Sequence, residues 1–588
     1  MTDTQVTQTR RTVLEQLGLV AGAGALAALA GRSHPVAALE SDEDAFTRET
    51  VEIESFDGTT IVATYYLPVE DGPHPAILGT HGWAQERGDL DDVAAVYASS
   101  GYAGLIYDSR GHGDSEGEVT LTGEDEQQDA SALIDWLAEN KSDDLIMDGP
   151  DNPRLGLDGG SYGGGIQPVL AAIDDRVDAI VPRFTWFDLT EVLMPNDVLR
   201  AGWARGLIAA GRIEARLEDG FRERAERVIA DGEFDESKGD IEYFRSRSGA
   251  GYPDGPNAPT LVIQEFNDRL FPADEGIDIH DWADETDNET VMLLGNGTTH
   301  NIWGDSIPGS NLFDDVAAED AMAWFDDHLK DDGDHGLPPV RYYDESNDEF
   351  VDADAWPPSD AGTETFSQTL SAPQRLEGRD ADPVTLDFPL SRELELLGAP
   401  TIDLTARPLG EGKSHLMVAL KHVTDDGVRT IKDQVTPYAV TEDETLTFDL
   451  TTIQWRLDAG DILRVAFAPK AETLTEVDWP LGGGLFEATD ETAGIELDGD
   501  VTLTVPARAG EEAVIPPLTA EFSRPDDPNT AGLYEDVNGD GVVDVADVQA
   551  LFDNLDNPVV QDNPEAFDFS GTGGSVTIFD VQALFNRV

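Results

Sequence analysis

Short apolar runs bounded by polar or glycine residues mark the first half of the chain. Two of them, Pro259–Gln264 and Glu289–Leu294, have strand length and no alternation of polar and apolar residues. Such runs are typical of strands buried on both faces of a parallel sheet. Residues Leu155–Ala172 combine a further short run with a glycine-rich turn and a helical stretch. The pattern predicts an α/β domain.

Two later regions have other periodicities. From Trp186 to Tyr252, apolar residues recur at helical spacing with arginines between them, which predicts a helical cap inserted into the α/β domain. Thr445–Leu450 and Val501–Val505 alternate with period two, which predicts strands of a β-sandwich. Large aromatic residues of the cap are candidates for a pocket wall, although core burial is their default: Trp186, Phe187 and Trp203.

The turn at Ser161 has the pattern of a nucleophile elbow. Gly159 and Gly163 stand two residues to either side of the serine, between the predicted strand and the predicted helix. A serine in this strained turn needs small neighbours, and the turn exposes its hydroxyl. The N–H of Tyr162, at the start of the helix, would face a developing oxyanion. The alternative is an ordinary glycine-rich turn, because the short pattern also arises by chance.

An acid and a histidine follow in the chain order that such a serine hydrolase requires. Asp268 and His300 each come a few residues after one of the two apolar runs. We therefore predict Ser161 as nucleophile, His300 as general base and then acid, and Asp268 as the carboxylate that orients the imidazole, with no catalytic cofactor. The alternative for His300 is a hydrogen-bonded loop histidine. Two other histidines are weaker candidates for the base. No predicted strand lies between Asp268 and His280, and His328 lies in a predicted packing helix.

The second oxyanion donor is expected in the loop that follows Pro75–Thr80. His81-Gly82-Trp83 begins this loop, and the backbone N–H of Trp83 is the candidate donor. One strand later, charged residues and glycines crowd into a single loop. Asp108 and Arg110 are predicted to brace that loop rather than to take part in chemistry.

Two motifs carry a family resemblance: Asp108-x-Arg-Gly-x-Gly-x-Ser-x-Gly117, and Gly-x-Ser161-Tyr162-x-Gly. They resemble the X-prolyl dipeptidyl peptidase and cocaine esterase group of α/β-hydrolases. Val340–Tyr343 and Trp356–Pro358 resemble the connection of that group into a C-terminal sandwich, so the resemblance covers roughly residues 50–507. It implies an α/β-hydrolase fold with a helical cap, then a jelly-roll β-sandwich, and acyl transfer from an ester or amide to water through an acyl-enzyme.

The oxyanion loop departs from the family pattern. Many members have Pro-Tyr there and donate a tyrosine hydroxyl, whereas this chain has His81-Gly82, which favours a backbone donor. The substrate is therefore open between a small acyl ester and an X-Pro peptide, and no acidic pair for a peptide amine stands out. The alternative from another class is a non-catalytic adhesion or scaffold protein that retains the hydrolase fold.

The end of the chain contains a calcium-loop motif. Residues 536–547 place oxygen ligands at loop positions 1, 3, 5, 9 and 12 with glycine at position 6, as a Ca²⁺ loop requires. The expected ligands are Asp536, Asn538, Asp540, the carbonyl of Val542, Asp544 and Asp547. Aspartate at position 12, followed by Val-Gln-Ala-Leu-Phe, resembles a dockerin repeat in a small α-helical module. The resemblance implies a cohesin-like protein partner.

A second copy of this motif closes the chain. Its loop is one residue longer, and it has hydroxyl side chains where carboxylates or amides would bind calcium better. The expected ligands are Asp568, Ser570, Thr572 and Asp580, in a site that is weaker or empty. Two copies of Asp-Val-Gln-Ala-Leu-Phe argue against a chance acidic sequence.

Composition indicates the environment of the protein. The chain has 588 residues, 119 of them acidic against 37 basic, for a formal charge of −82. This excess suits concentrated salt, because screening within about 3 Å at molar ionic strength suppresses self-repulsion. Phosphate would be repelled, so no nucleic acid partner is expected. The chain has no cysteine, which excludes disulfides and thiol chemistry.

The N-terminus resembles an export signal. Arg10-Arg11 precedes a soft apolar run that ends near Ala30, and small residues surround Ala38. This predicts twin-arginine export to the cell surface or beyond, without a permanent membrane span. The predicted organisation is a signal over 1–38, a hydrolase over 45–335 with its cap at about 186–252, a sandwich over 336–507, a linker over 508–532 and a dockerin-like module over 533–588.

Overall fold

The computed structural model describes residues 41–42, 44–297, 300, 309–330, 333–424, 427–475, 484–528 and 532–588. The predicted signal segment, 1–38, lies outside them. The chain divides into two compact units. Of the described residues, the first unit contains those up to Ser359 and segments 437–439 and 484–488, and the second contains those within 360–436, 440–475 and 489–588.

A ten-stranded, mostly parallel sheet forms the centre of the first unit. The strands of this unit are β1 (Phe46–Glu54), β2 (Thr60–Pro68), β3 (Ala76–Thr80), β4 (Ala103–Tyr107), β5 (Met147–Gly149), β6 (Asn152–Pro153), β7 (Leu155–Gly160), β8 (Ala179–Arg183), β9 (Thr260–Glu265), β10 (Thr290–Gly295), β11 (Val340–Asp344) and β12 (Glu349–Ala353). The sheet has the order β1-β2-β4-β3-β7-β8-β9-β10-β11-β12, and β5 and β6 form a separate ladder. β3, β4 and β7–β11 are parallel, whereas β1, β2 and β12 are antiparallel to their neighbours.

Helices cover both faces of this sheet. They are α1 (Asp91–Ser99), α2 (Glu124–Lys141), α3 (Tyr162–Ile173), α4 (Leu189–Leu193), α5 (Ala201–Glu214), α6 (Asp219–Asp231), α7 (Asp240–Arg245), α8 (Ala273–Asp284) and α9 (Ser310–Lys330). Consecutive residues of β4 point to opposite faces, because Leu105 packs in a cluster with Leu133 of α2 and Ile106 in another with Trp324 of α9. Helices α4–α7 follow β8 and form the cap segment. Among the described helices, none combines the length and apolarity that a membrane span requires.

The sheet continues beyond the predicted domain boundary at residue 335. β11 lies parallel to β10, with Val340 opposite Met292, and β12 then returns antiparallel. Val340, Tyr342 and Tyr343 are buried, which makes this run a strand of the hydrolase sheet rather than a connection into the sandwich. The first unit accordingly ends near Ser359.

Two antiparallel sheets form the β-sandwich. The strands are β13 (Gly362–Thr369), β14 (Gln374–Glu377), β15 (Val384–Pro389), β16 (Arg392–Gly398), β17 (Thr401–Gly410), β18 (His415–Thr424), β19 (Gly427–Thr430), β20 (Thr436–Ala439), β21 (Glu444–Asp449), β22 (Ile453–Leu457), β23 (Ile462–Ala468) and β24 (Ala493–Ala513). One sheet has the order β21-β17-β24-β16-β22, with β13 and β14 also paired to β24, and the other contains β15-β23-β18-β19. Alternate residues of β24, such as Ile495 and Leu497, are buried, as the period-two pattern predicts.

A small helical module ends the chain. Its helices are α10 (Val545–Asp553), α11 (Pro558–Asp562), α12 (Pro564–Phe567) and α13 (Ile578–Phe585). Leu551, Phe567 and Leu584 are fully buried in its apolar cluster, and Leu518 joins them. The predicted linker, 508–532, is therefore not a free linker, since its first residues extend β24 and Leu518 packs into the module.

Candidate functional sites

Ser161 lies in the sharp turn between β7 and α3. Its backbone has φ 54° and ψ −118°, a left-handed conformation that costs energy for a residue with a side chain. A Cβ on Gly163 would lie 2.1 Å from the Thr80 carbonyl oxygen, and a Cβ on Gly159 would lie 2.7 Å from the Gly163 carbonyl oxygen. Both glycines are thus required by close backbone approach, as in a nucleophile elbow.

A chain of hydrogen bonds links the three predicted triad residues. His300 Nε2 is 2.9 Å from Ser161 Oγ, and His300 Nδ1 is 2.6 Å from Asp268 Oδ2. Asp268 and His300 are both almost fully buried. With the proton on Nδ1 donated to Asp268, Nε2 can accept the serine proton. The arrangement can therefore activate the hydroxyl for attack on a carbonyl.

The loops that hold the acid and the histidine are fixed to each other. Asp268 Oδ1 accepts the backbone N–H groups of Leu270 and Phe271, both at 2.8 Å. Asn267 donates to the Gly297 carbonyl at 2.7 Å and accepts the Gly297 N–H at 3.0 Å. This pair of hydrogen bonds joins the loop after β9 to the loop after β10. Sequence reasoning missed Asn267, and its place directly before Asp268 is the available signal.

The side chain of Tyr162 is anchored below the elbow. Tyr162 is the first residue of α3, so its N–H has no partner within the helix. Its hydroxyl donates to Glu126 at 3.0 Å. Glu126 also accepts the N–H groups of Thr120 and Gly123, and burial raises the pKa of its carboxyl. The helix N-terminus therefore has a fixed orientation relative to Ser161.

Trp83 connects the other predicted oxyanion residue to the cap. Its indole N–H donates to the Leu207 carbonyl of α5 at 2.8 Å, and its ring meets the Tyr162 ring edge-on at 5.3 Å. A Cβ on Gly211 would lie 2.7 Å from the indole ring, so only glycine fits there. The oxyanion loop, the elbow and the cap thus meet at this indole.

The histidine and charged residues near the oxyanion loop have structural partners. His81 is fully buried, accepts the Ser109 N–H at Nε2 and donates from Nδ1 to the Gly82 carbonyl, and burial lowers its pKa. Asp108 accepts the Arg87 and Asp114 N–H groups and pairs with the Arg87 guanidinium. Arg110 pairs with Asp129 and Asp57. These contacts brace the loop.

An apolar pocket opens at Ser161 beneath the cap. Among the described residues, no lining side chain of this pocket is charged. The lining includes Leu121, Trp186, Leu193, Leu207, Phe221 and Phe271. Of the three aromatic candidates, Trp186 lines the pocket, Trp203 meets the His300 ring edge-on at 6.0 Å, and Phe187 packs against Trp282.

Residues 57–300 match the sequence pattern of the family described as X-Pro dipeptidyl-peptidase (S15 family). This stretch contains all three residues of the hydrogen-bonded chain. The protein is a serine hydrolase. The hydrolase acts on ester or peptide bonds, and the predicted resemblance to the X-prolyl dipeptidyl peptidase and cocaine esterase group is confirmed.

The chain is also similar to solved hydrolase structures and to a curated protein. A CocE/NonD family hydrolase from Staphylococcus aureus superposes with a TM-score of 0.61 at 14% identity, over 82% of this chain and 100% of that one. An alpha-amino acid ester hydrolase superposes with a TM-score of 0.58 at 16% identity, over 80% of this chain and 98% of that one. An uncharacterized 31.7 kDa protein of Escherichia coli is 25% identical over 46% of this chain and 96% of its own length. The predicted α/β-hydrolase fold with a β-sandwich is confirmed.

The first candidate calcium loop gathers buried carboxylates. Asp536 accepts the N–H groups of Asp540 and Gly541, and Asp547 accepts those of Asn538 and Asp544. Asp536 and Asp547 are both buried. Burial and the charge of Asp536 raise the pKa of Asp547 against its backbone hydrogen bonds. Crowded acids of this kind fit a cation, which would relieve their repulsion.

The second loop repeats this plan with one added residue. Asp568 accepts the N–H groups of Thr572 and Gly573, and Asp580 accepts those of Ser570 and Thr577. Burial opposes ionisation of Asp580, but the bonds from Ser570 and Thr577 outweigh it and lower the pKa. Fewer carboxylates converge here. Sequence reasoning missed Thr577, which stands three residues before Asp580 as Asp544 stands before Asp547.

Proposed function

We propose that Ser161 attacks an acyl carbonyl while His300 takes its proton and Asp268 holds the resulting imidazolium. His300 then returns the proton to the leaving group, and water, activated by the same histidine, releases the acid from the acyl-enzyme. The observation that carries this proposal is the buried hydrogen-bonded chain from Ser161 to Asp268. The backbone N–H groups of Trp83 and Tyr162 would stabilise the oxyanion.

The favoured substrate is a carboxylic ester with an apolar acyl group. An X-Pro dipeptidyl substrate presents a cationic amine, which needs a carboxylate in or beside the pocket. The walls of the pocket at Ser161 are apolar. They suit an acyl chain, because such a chain needs only apolar contact and the oxyanion donors. The pocket chemistry therefore supports an acyl esterase over a dipeptidyl peptidase.

The test compares a nitrophenyl butyrate ester with alanyl-proline nitroanilide in multimolar salt. We expect ester turnover by the wild type and its loss in Ser161→Ala, with little anilide turnover. Ser115→Ala is a matched control, because Ser115 is a buried serine that bonds the Asp108 carbonyl. Anilide turnover above ester turnover would favour the peptidase. Turnover of neither substrate by folded wild type would favour the scaffold protein.

Export and high salt complete the proposed setting of the enzyme. Arg10-Arg11 before a soft apolar run supports twin-arginine export, and the formal charge of −82 supports function in concentrated salt. Replacing both arginines with lysine should leave the enzyme in the cell. Unchanged activity and melting temperature in dilute buffer would contradict the salt requirement.

Calcium-dependent docking is the proposed role of the C-terminal module. Corresponding residues of its two repeats are exposed and apolar, namely Val545 with Ile578 and Phe552 with Phe585. Exposed apolar side chains on a folded module support a protein partner, and the dockerin resemblance points to a cohesin-like one. Immobilised enzyme should retain such a partner with calcium and release it with chelator, whereas Phe552→Ser with Phe585→Ser should not retain it.

A further inference from the structure

Two imidazoles and two carboxylates converge at the end of β10 opposite to the triad. Glu289 directly precedes β10, whereas His300 follows the other end of that strand. Asp327 and His328 lie in the last turn of α9, and His335 lies in the segment after it. The cluster therefore joins three segments of the hydrolase unit and is separate from the proposed chemistry.

The spacing of the potential ligand atoms fits a first-row transition metal. One atom from each of the four side chains lies within 4.8 Å of the others. His335 Nε2 is 3.1 Å from Glu289 Oε1, and His328 Nε2 is 3.7 Å from Glu289 Oε2. Ligands about 2.1 Å from a tetrahedral ion are separated by about 3.4 Å. Both distances lie close to that value, and rotation of the Glu289 and Asp327 side chains would complete a set of four ligands around one ion.

His328 supplies a second observation that points to a ligand. Its Nε2 is buried and has no hydrogen-bond partner among the described residues. A buried polar atom without a partner costs free energy unless something satisfies it. A metal ion beside Glu289 would do so.

Neighbouring groups hold both imidazoles in place. The ring of Trp324 lies 4.2 Å from that of His328 and 5.1 Å from that of His335. The Leu337 N–H bonds His335 Nδ1 at 2.9 Å, so the proton of this ring lies on Nε2 and is donated to Glu289. Metal binding at Nε2 would move that proton to Nδ1 and give up the Leu337 bond. Because the loss of this hydrogen bond opposes metal binding, we expect a moderate rather than a very high affinity for the metal ion.

We propose that Glu289, Asp327, His328 and His335 form a binding site for a Zn²⁺-class metal ion. Two nitrogen and two oxygen ligands are a chemical set that suits zinc or cobalt, whereas the oxygen-only loops at the C-terminus suit calcium. The ion would link the end of α9 to the start of β10. Its role is structural, because the triad lies at the other end of that strand.

Cobalt titration of the full-length protein tests the site. The protein is kept in excess calcium to fill the C-terminal loops, and in potassium nitrate because chloride itself binds cobalt. We expect one Co²⁺ per chain with the visible absorption of a tetrahedral site, and zinc should displace it. Zinc should raise the melting temperature of the hydrolase unit and leave kcat for the ester unchanged.

Single substitutions separate a metal site from a hydrogen-bonded brace. His328→Gln and His335→Gln should each weaken cobalt binding by more than the roughly 10- to 100-fold typical of losing a residue that only hydrogen-bonds to a ligand. His280→Gln is the matched control, because His280 also contacts a carboxylate, Asp281, at 3.2 Å but belongs to no such cluster among the described residues. Ester turnover by each variant reports its folding. Absence of stoichiometric cobalt binding to wild type, or binding unaffected by both substitutions, would overturn the proposal.

Discussion

The triad and the loop of residues 536–547 bring their functional side chains together by opposite routes. His300 is 139 residues from Ser161 and 32 from Asp268, and the sheet brings them together. In the loop, Asp536 bonds an N–H only five residues away, and Asp547 one nine residues away. The first site depends on long-range packing, whereas the second is built from local turns and, in our proposal, would be completed by a calcium ion. Substitutions should therefore affect them in different ways.

The largest effect is expected from Asp268→Asn. Asparagine cannot hold the His300 tautomer that accepts the serine proton, so kcat should fall by about 10⁴-fold. Asp320→Asn is the control, because Asp320 is also a buried acid but bonds Arg341. Initial rates with the nitrophenyl ester measure both. A loss below tenfold in Asp268→Asn would remove the triad from the proposed mechanism.

The next largest effect is expected from calcium, which should stabilise the first loop more than the second. At a calcium concentration about 100 times Kd, one site should stabilise the C-terminal module by about 2.7 kcal/mol. Asp540→Ala should abolish this gain at the first loop, whereas Thr572→Ala in the second loop should change it less. Helical circular dichroism during calcium titration provides the measurement. Equal losses would show that the loops do not differ in strength.

Trp83→Phe tests whether long-range packing supports the active site. The substitution removes the bond to the Leu207 carbonyl, so kcat should fall about ten- to a hundredfold through misplacement of the oxyanion loop, with a smaller change in KM. Trp186→Phe also removes an indole bond, to the Arg247 carbonyl, and should mainly change KM. Gly211→Ala should lower kcat in the wild type but much less when it is combined with Trp83→Phe, because the smaller ring leaves room. An unchanged kcat in Trp83→Phe would make the oxyanion loop independent of the cap.

The smallest expected effect is the change in the pH dependence of stability when a single buried acid is replaced. Burial raises the pKa of Asp178 to about 6, above its unfolded value near 3.8, so its stabilising contribution increases as pH falls through 6 and is lost as pH rises. Asp178→Asn should therefore lose about 1 kcal/mol of stability relative to wild type between pH 7 and pH 5. Asp580→Asn should show the opposite trend below pH 5, because the lowered pKa of Asp580 stabilises the ionised form, and this contribution is lost only as pH falls below the unfolded value near 3.8. Denaturant unfolding at pH 7 and pH 5 measures the first difference, and unfolding at a more acidic pH measures the second.

The triad was predictable because each member follows a strand-length apolar run. Ser161 also has its glycines, and chain order identifies Asp268 and His300. The Asn267 to Gly297 bonds and the Trp83 to Leu207 bond were not predictable, since they join loops through tertiary packing. Thr577 could have been found by aligning the two terminal repeats from their helices.

The cluster around His335 illustrates the same limit. Asp327 and His328 are adjacent in a helix whose pattern indicates packing, and Glu289 belongs to a different segment. Only the fold places them side by side. The extent of the hydrolase sheet was missed because Val340–Tyr343 carries no signal that distinguishes a last strand from a connection.

The long strand β24 sets the order in which the sandwich can assemble during synthesis. It pairs with β13, β14, β16 and β17, whose residues begin at Gly362, yet β24 itself starts at Ala493. Until the ribosome has made residues 493–513, those four strands lack a shared neighbour. Their open edges must wait for more than 100 residues of further translation. A nascent chain stalled in this interval would be a natural substrate for chaperones.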